Sequence, residues 1–482
     1  MNEYSLFAGR VGLVGITSTI ITLRGLILIP ILAKTLGAEG YGIWSQILVT
    51  ISLLAPPCTL GLGYAIVRFL AAEKDKEKVG KGVSSILITT SLIALAASGL
   101  IFVLSKPLAI AVFGGVDAAF YIRISVLLIF LAAVDQIMIK YFAGFRQIKK
   151  YSAFLISQTI GEIALIAYLV LSGFGLFGAI ISLLIVRAVT SVIGFLWIKS
   201  DINISKPSFS VIKVYFPFTL PTILTGLSYW LINLGDRYVI GYFMGASAVG
   251  IYSASYSLGA ILLFFYAPLT GTLFPAIVKS YESNKIQEVK TYLKYSLKFL
   301  LMFLVPSFFG LSILSKSLLV TLATLEFANA YIVVSIVALA TLLYCCSFIN
   351  ASVLALLKET KKVGIIFGAS ALINVVLNIV LVPRIGILGA AIATLVTFTI
   401  HLFVVSKLSF KRLSYDIDLK FISKCIIASI PMGFVVWKMN PYGAVNILIS
   451  IGVAVVVYFG VMVLLKAFTR EEFRFFRGLF KI

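Results

Sequence analysis

Charge is what this sequence has least of. Asp, Glu, Lys and Arg make up 12% of its 482 residues, about half of what a soluble domain carries on its surface. No stretch of ordinary soluble composition exceeds roughly 20 residues, so there is no room for a nucleotide-binding domain, and an ATP-driven pump is excluded. Histidine occurs once, as His401, with no ligand set beside it. It is read as a satisfied interior histidine, with a proton relay as the alternative. The four cysteines, Cys58, Cys345, Cys346 and Cys425, fall in apolar stretches without metal-ligand spacing and read as small core residues. There is no P-loop, no GxSxG, no His/Cys/acid cluster and no carboxylate pair in a loop, so the chain is not expected to be an enzyme or to hold a cofactor. The outer loops are also too short for a membrane glycosyltransferase. The start, MNEYSLFAGR, lacks the charged and apolar regions of a cleaved signal, so the first helix is expected to be a retained anchor.

What is abundant is apolar sequence. The hydrophobic fraction is 61% and the mean hydropathy +1.10, the composition of an integral membrane protein crossing the bilayer as helices. The runs predict an all-α membrane protein with about 14 transmembrane helices, at 11–33, 43–67, 83–104, 121–143, 152–172, 176–198, 214–240, 248–275, 292–314, 328–354, 363–382, 386–405, 420–439 and 444–466. The formal net charge is +22, which in a soluble protein would suggest nucleic acid. Here roughly 31 of the 40 Lys and Arg fall on one side of the predicted spans, in runs such as EKDKEKVGK (73–81), RQIKK (146–150) and KETKK (358–362). That is the positive-inside bias. It predicts a multi-pass protein of the cell (inner, cytoplasmic) membrane with both termini cytoplasmic and its basic loops against anionic lipid headgroups, and no nucleic-acid partner.

The chain is doubled. LGAEGYGIWS (36–45) lies over MGASAVGIYS (244–253), RQIKK over KETKK, and GLFGAIISLL (175–184) over GILGAAIATL (386–395), at offsets of 208 to 212. Six spans separate equivalents, so the repeats are parallel, with an axis along the membrane normal and a central cavity at their interface. The expected organisation is an N-lobe at 1–198, a cytoplasmic linker at 199–213, a C-lobe at 214–405, and a final helix pair with a basic tail at 406–482. Helix breaks recur too. Pro56 and Pro57 interrupt span 2, and Pro268, 212 residues after Pro56, interrupts span 8. Such kinks suit helices that bend or rock.

Ionisable groups inside spans are costly and mark candidate sites. Arg24 lies in span 1, Arg187 in span 6 and Arg237 near the outer end of span 7; Arg123 opens span 4 and can snorkel. The acids are Asp135, Glu162 and Asp236. In span 7, Thr222, Gly226, Tyr229, Asn233 and Asp236–Arg237 recur at intervals of three and four and so share a face. That face reads as a cavity wall with a cation at its end, or as a structural Asp236–Arg237 tie. Neighbours on a helix diverge, which leaves room for a separate partner for each. Glu162 pairs with Arg187 or binds a coupling ion, H+ or Na+; Asp236 is the other candidate for that ion. Lys140 is placed to compensate Asp135. Gln158 and Glu162 fall on Ser370 and Asn374, so only one copy of this polar face carries a carboxylate. Tyr252 and Tyr256 offer aromatic hydroxyl faces suited to sugar rings, or ordinary interfacial anchoring.

LAKTLGAEGYGIWSQ, GDRYVIGYFMGASAVGIYSASYSLG and LVPRIGILGAAIATLVTF together resemble the polysaccharide-transport branch of the multidrug/oligosaccharidyl-lipid/polysaccharide exporter superfamily, with the Wzx-type O-antigen and capsule-repeat flippases as the nearest pattern. The resemblance covers the whole chain. It implies two six-helix lobes in a V, and translocation of an undecaprenyl-diphosphate-linked oligosaccharide by alternating access. Its partners would be that lipid-linked oligosaccharide, membrane lipids, and a polysaccharide polymerase and chain-length regulator. Arg24, Arg187 and Arg237 are the cations suited to the diphosphate, with Tyr229, Asn233, Tyr252 and Tyr256 as further substrate-binding candidates. A lipid II flippase and a cation-coupled multidrug exporter are the alternatives within the superfamily. A scaffold of the glycan-assembly complex is the alternative outside transport.

Overall fold

The computed structural model describes residues 3–113, 115–202 and 205–468. The tail beyond 468 and the side chain of Pro268 lie outside the described residues. The described chain is helical, with no strand. In order it forms α1 (Glu3–Cys58), α2 (Leu62–Ala65), α3 (Lys76–Val103), α4 (Ser105–Phe113), α5 (Ala118–Ser125), α6 (Leu127–Gly144), α7 (Ile148–Leu169), α8 (Gly175–Asp201), α9 (Phe209–Leu234), α10 (Asp236–Gly259), α11 (Leu263–Glu282), α12 (Ile286–Leu322), α13 (Tyr331–Leu356), α14 (Thr360–Ile385), α15 (Ile387–Arg412), α16 (Leu419–Met439) and α17 (Ala444–Leu464). Among the described residues, eleven helices are long and apolar enough to cross a membrane. In hydrocarbon every backbone N–H and C=O must be satisfied within its own segment, which is why these apolar runs can only be helices.

Three of the eleven contain a break at glycine, at Gly37, at Gly173–Gly175 and at Gly245. All three fall where the sequence places turns between spans. Gly37 (φ 69°, ψ −175°) and Gly245 (φ 79°, ψ −179°) are repeat equivalents and share a backbone conformation open essentially to glycine alone. Span 2 ends at its proline pair. α1 stops at Cys58, Leu60 and Gly61 take positive φ, and the chain resumes as α2 and a five-residue π-helix, Ile66–Leu70. Span 8 breaks not at Pro268, which falls within α11, but earlier, at a 3-10 turn, Ala260–Leu262, that separates α10 from α11.

The chain divides into two compact units. One comprises Met1–Ser253 and Asn374–Gly386, the other Ala254–Ile373 and Ile387–Ile482. The first is packed around Leu62, Ile66, Val83, Ile137, Tyr141, Phe142, Phe154 and Tyr215. It also holds a contact between the repeats. A Cβ on Gly42 would lie 1.8 Å from the Ala246 carbonyl oxygen, and one on Gly250 would lie 2.0 Å from that of Ala38. The hydroxyl of Ser45 donates to that of Ser253 at 2.7 Å. Gly42 and Gly250, Ala38 and Ala246, and Ser45 and Ser253 are equivalents at the 208 offset. Residue i meets j as j meets i, so a local two-fold passes between them.

The second unit has its core on α11–α13, α16 and α17. The α16–α17 hairpin, which lies outside the repeat, is fastened to α12. Tyr458 donates to the Met302 carbonyl at 3.0 Å. Asp418 caps α16 through the Phe421 amide at 2.9 Å and meets Lys298 at 3.4 Å, whose ammonium sits over the Phe421 ring. All four cysteines are buried and free. His401 is buried, with Nδ1 3.0 Å from the Ser370 hydroxyl and its ring against Phe367.

Candidate functional site

The first unit contains a buried charge cluster built by α1, α7 and α8. Glu162 of α7 is sealed, at 0% exposure. One carboxylate oxygen accepts from the Nη1 of Arg24, and the other accepts from the Nε of Arg187 at 3.0 Å. Glu162 therefore pairs with Arg187, one of the two roles its position in the sequence offers, and with Arg24 as well. The two guanidiniums are not sealed. Arg24 keeps 28% of its side chain exposed and Arg187 17%. A guanidinium has five N–H donors, and each arginine commits one of them to Glu162. Taken by themselves, two cations on one carboxylate carry a formal charge of +1, with donors to spare.

A hydrogen-bonded network around a third acidic side chain, Asp135, continues from this cluster. The Nε2 of Gln158 donates to Asp135 at 2.8 Å and reaches the Thr190 hydroxyl at 3.2 Å. Ser191 donates to the other Asp135 oxygen at 2.6 Å. Asp135 is thus held by hydrogen bonds across α6, α7 and α8, not by Lys140. Position 140 is five residues on and leaves the face of Asp135, and its ammonium lies over the Tyr64 ring, 4.4 Å from the centroid. Thr190 and Ser191 carry no charge, and sequence reasoning passed over them. Their spacing of three and four from Arg187 is the only signal they give.

The repeat has a neutral counterpart to part of this network. At offsets of 212 and 211, Gln158 and Thr190 fall on Ser370 and His401, which are also hydrogen-bonded to each other. The charged members have no charged equivalents. Glu162 falls on Asn374, Arg187 on Phe398 and Arg24 on Ile232.

Asp236, Arg237 and Tyr252 form a second cluster in the same unit. The Nη1 of Arg237 donates to its neighbour Asp236 and to the Asn233 carbonyl, both at 2.7 Å, and Tyr252 donates to the other Asp236 oxygen. The neighbours converge because α9 ends at Leu234 and α10 begins at Asp236, so the arginine stem folds back over the junction. Asp236 and Arg237 are both almost fully buried, so this pair ties the end of α9 to α10. Asn233 bonds the Tyr229 carbonyl of its own helix at 2.9 Å. Tyr229 is exposed, while Tyr252 and Tyr256 are buried. Arg123 reaches the Ser105 hydroxyl at 2.9 Å and faces the Phe102 ring. Among the described residues no group of His, Cys, Asp and Glu could hold a metal ion.

Comparison with known proteins bears on the family and the fold. The chain is 24% identical over 440 residues to the probable low-salt glycan biosynthesis flippase Agl15 of Haloferax volcanii, covering 90% of each chain. It is 26% identical over 211 residues to the probable flippase AglR of the same organism, covering 40% of this chain and 44% of AglR. Its fold is similar to that of the lipid II flippase MurJ in an inward closed conformation, with a TM-score of 0.74 over 97% of this chain and 99% of that one at 20% identity. It is also similar to an inward-facing multidrug resistance MATE transporter, with a TM-score of 0.68 over 81% and 94% at 16% identity. The MatE family model matches residues 221–380. The polysaccharide biosynthesis protein family model matches residues 9–281, more than half of the chain, and the protein belongs to that family, in the polysaccharide-transport branch of the multidrug/oligosaccharidyl-lipid/polysaccharide exporter superfamily.

Proposed function

We propose that the protein is a flippase for a lipid-linked oligosaccharide, moving a glycan on an isoprenoid phosphate or diphosphate between leaflets by alternating access. It is a transporter and not an enzyme. The observation that carries this reading is the Arg24–Glu162–Arg187 cluster. Its two partly exposed guanidiniums keep uncommitted N–H donors where the dielectric is low, so an anion there is attracted far more strongly than in water. Arginine's planar fork suits phosphate oxygens. The similarity to a probable glycan biosynthesis flippase over 90% of both chains supports the substrate class. An O-antigen or capsule repeat on undecaprenyl diphosphate is the finer form of the same reading. Dividing the eleven long helices at their three glycine breaks would give fourteen segments, the number expected from the sequence. In this reading Glu162 is the counter-ion that orients both arginines, and Asp236–Arg237 is a structural tie.

The test is flipping of a fluorescent lipid-diphosphate oligosaccharide in proteoliposomes. Arg24→Ala and Arg187→Ala are each expected to slow it at least ten-fold, with partial recovery in the Lys variants. Unchanged rates in both Ala variants would overturn the reading.

A further inference from the structure

A second cationic site lies outside this cluster, at the basic-loop end of the first unit. The π-helix Ile66–Leu70 ends there, immediately before the EKDKEKVGK run, and α6 ends there, immediately before RQIKK. Two glycines bring these ends together. A Cβ on Gly63 would stand 2.8 Å from the Lys140 Cγ, and one on Gly144 would stand 3.2 Å from the Val67 Cα. With no side chain at either position, Lys140 lies over the Tyr64 ring at 4.4 Å. One turn on, Arg68 is packed against two rings, Phe218 at 4.4 Å and Phe69 at 5.6 Å. Phe69 in turn stacks on Tyr215. Gly61, at φ 68°, sets the path, because a Cβ there would meet the Thr219 carbonyl oxygen at 2.6 Å. The turn therefore seats tightly on α9, the helix that supplies Tyr215 and Phe218.

The chemistry of the patch is specific. Ring packing holds one side of the exposed Arg68 guanidinium, whose N–H donors are of the kind that take phosphate oxygens two at a time. Neither Arg68 nor Lys140 forms an ion pair among the described residues. The nearby acids are already engaged. Glu73 accepts from the amides of Lys74 and Asp75, and Asp201 is held by Lys150 and Gln147. Tyr64 is 46% exposed and Phe69 37%, so two open aromatic surfaces flank the cations. A plain phospholipid offers a phosphate and no rigid ring to such a surface. A glycosylated headgroup offers both. π-Helical turns inserted in membrane helices are common at functional sites, and this one places Arg68 and Phe69 side by side.

We propose that Arg68, Lys140, Tyr64 and Phe69 form a loading site for the phosphate-and-sugar headgroup of the lipid-linked glycan at the basic-loop face of the membrane, distinct from the Arg24–Arg187 cluster. The proposal rests on the flippase reading. The site captures the headgroup before translocation, so its loss lowers capture and spares the later step.

The experiment uses the full-length protein in proteoliposomes with a fluorescent isoprenoid-diphosphate oligosaccharide as probe, its concentration varied, and phosphatidylglycerol as competitor. Arg68→Ala/Lys140→Ala is expected to raise the apparent KM about ten-fold or more while the rate at saturation stays within two-fold. Arg68→Lys should lie between the double variant and wild type, since it keeps the charge and loses the fork. Tyr64→Leu should raise KM for the glycosylated probe and leave binding of isoprenoid diphosphate without sugar unchanged. Native mass spectrometry of the folded variants supplies a readout independent of transport, with bound probe expected to fall in the double variant. An unchanged KM in the double variant while wild type flips would overturn the loading site alone, as would equal displacement of the probe by phosphatidylglycerol. Absence of flipping by wild type would instead overturn the flippase reading.

Discussion

Removing the shared carboxylate should damage this protein more than removing either arginine. In Glu162→Ala two guanidiniums on α1 and α8 lose their common counter-ion within the membrane. Breaking a buried pair by deleting one partner costs about 3–5 kcal/mol. Because Arg24 and Arg187 are 28% and 17% exposed, part of that charge can be solvated, and about 3 kcal/mol is the fitting magnitude. In Arg24→Ala the Arg187–Glu162 pair survives as a neutral couple, so the cost drops to about 1–2 kcal/mol, mostly one charge-assisted hydrogen bond. Glu162→Gln keeps the shape and one acceptor oxygen and should fall between the two. The assay is built into the chain. Cys58, Cys345, Cys346 and Cys425 are all buried and free, so a thiol-reactive dye reports thermal unfolding. The expected order of melting temperatures is wild type, then Arg24→Ala, then Glu162→Gln, then Glu162→Ala, with Glu162→Ala several degrees below wild type. A double-mutant cycle between Arg24 and Glu162 should give a coupling of about 1–3 kcal/mol. Additive single changes, or Arg24→Ala as damaging as Glu162→Ala, would refute the shared-carboxylate account.

Other outcomes follow from the same structure. Gly42→Ala and Gly250→Ala should each sharply reduce the yield of folded protein, because a Cβ at either would stand within about 2 Å of a carbonyl oxygen; detergent-solubilised monodisperse yield checks this, and the two should match because their surroundings do. Tyr252→Phe removes the donor to a fully buried Asp236 oxygen and should cost about 1–3 kcal/mol in melting experiments. The Glu359 carboxyl, between α13 and α14, is held below its ordinary 4.5 by Lys362 and then by Arg412. Its folded value is depressed, so the contribution is present above pH 4.5 and is lost as pH falls through the folded value; hydrogen exchange at residues 357–363 should quicken over that interval and not above it.

The membrane class, the repeat and the expensive residues were legible because each leaves a mark in one dimension. Apolar runs must be long, repeats keep an offset, and a charge inside a span stands out. Arg24, Glu162 and Arg187 were found that way. What could not be read was which charge answers which. Glu162 bonds two arginines from two helices, 138 residues before it and 25 after it, and nothing local announces the first. Asp135 was assigned to Lys140 because they share a helix, whereas its partners Gln158 and Ser191 come from two others. Arg68 drew no reading from the sequence, and Lys140 drew one only as a counter-charge for Asp135. Their packing against Phe218 and Tyr64 depends on absent side chains at Gly63 and Gly144, and sequence spacing does not report close backbone approach.

The contact at Gly42 and Gly250 carries a historical consequence. Equivalent residues of the two halves touch each other, with Ser45 bonded to its own counterpart Ser253. That is how two identical half-length chains would meet in a symmetric dimer, each offering the same patch to the other. Fusing such a pair end to end would preserve the seam while freeing the remaining surfaces to diverge. The charges do not obey the repeat: Arg24, Glu162 and Arg187 stand in one copy, and Ile232, Asn374 and Phe398 in the other. At the seam the two halves stay alike, with Ala38, Gly42 and Ser45 matched by Ala246, Gly250 and Ser253. A substitution on one side of it must be tolerated by its own counterpart on the other.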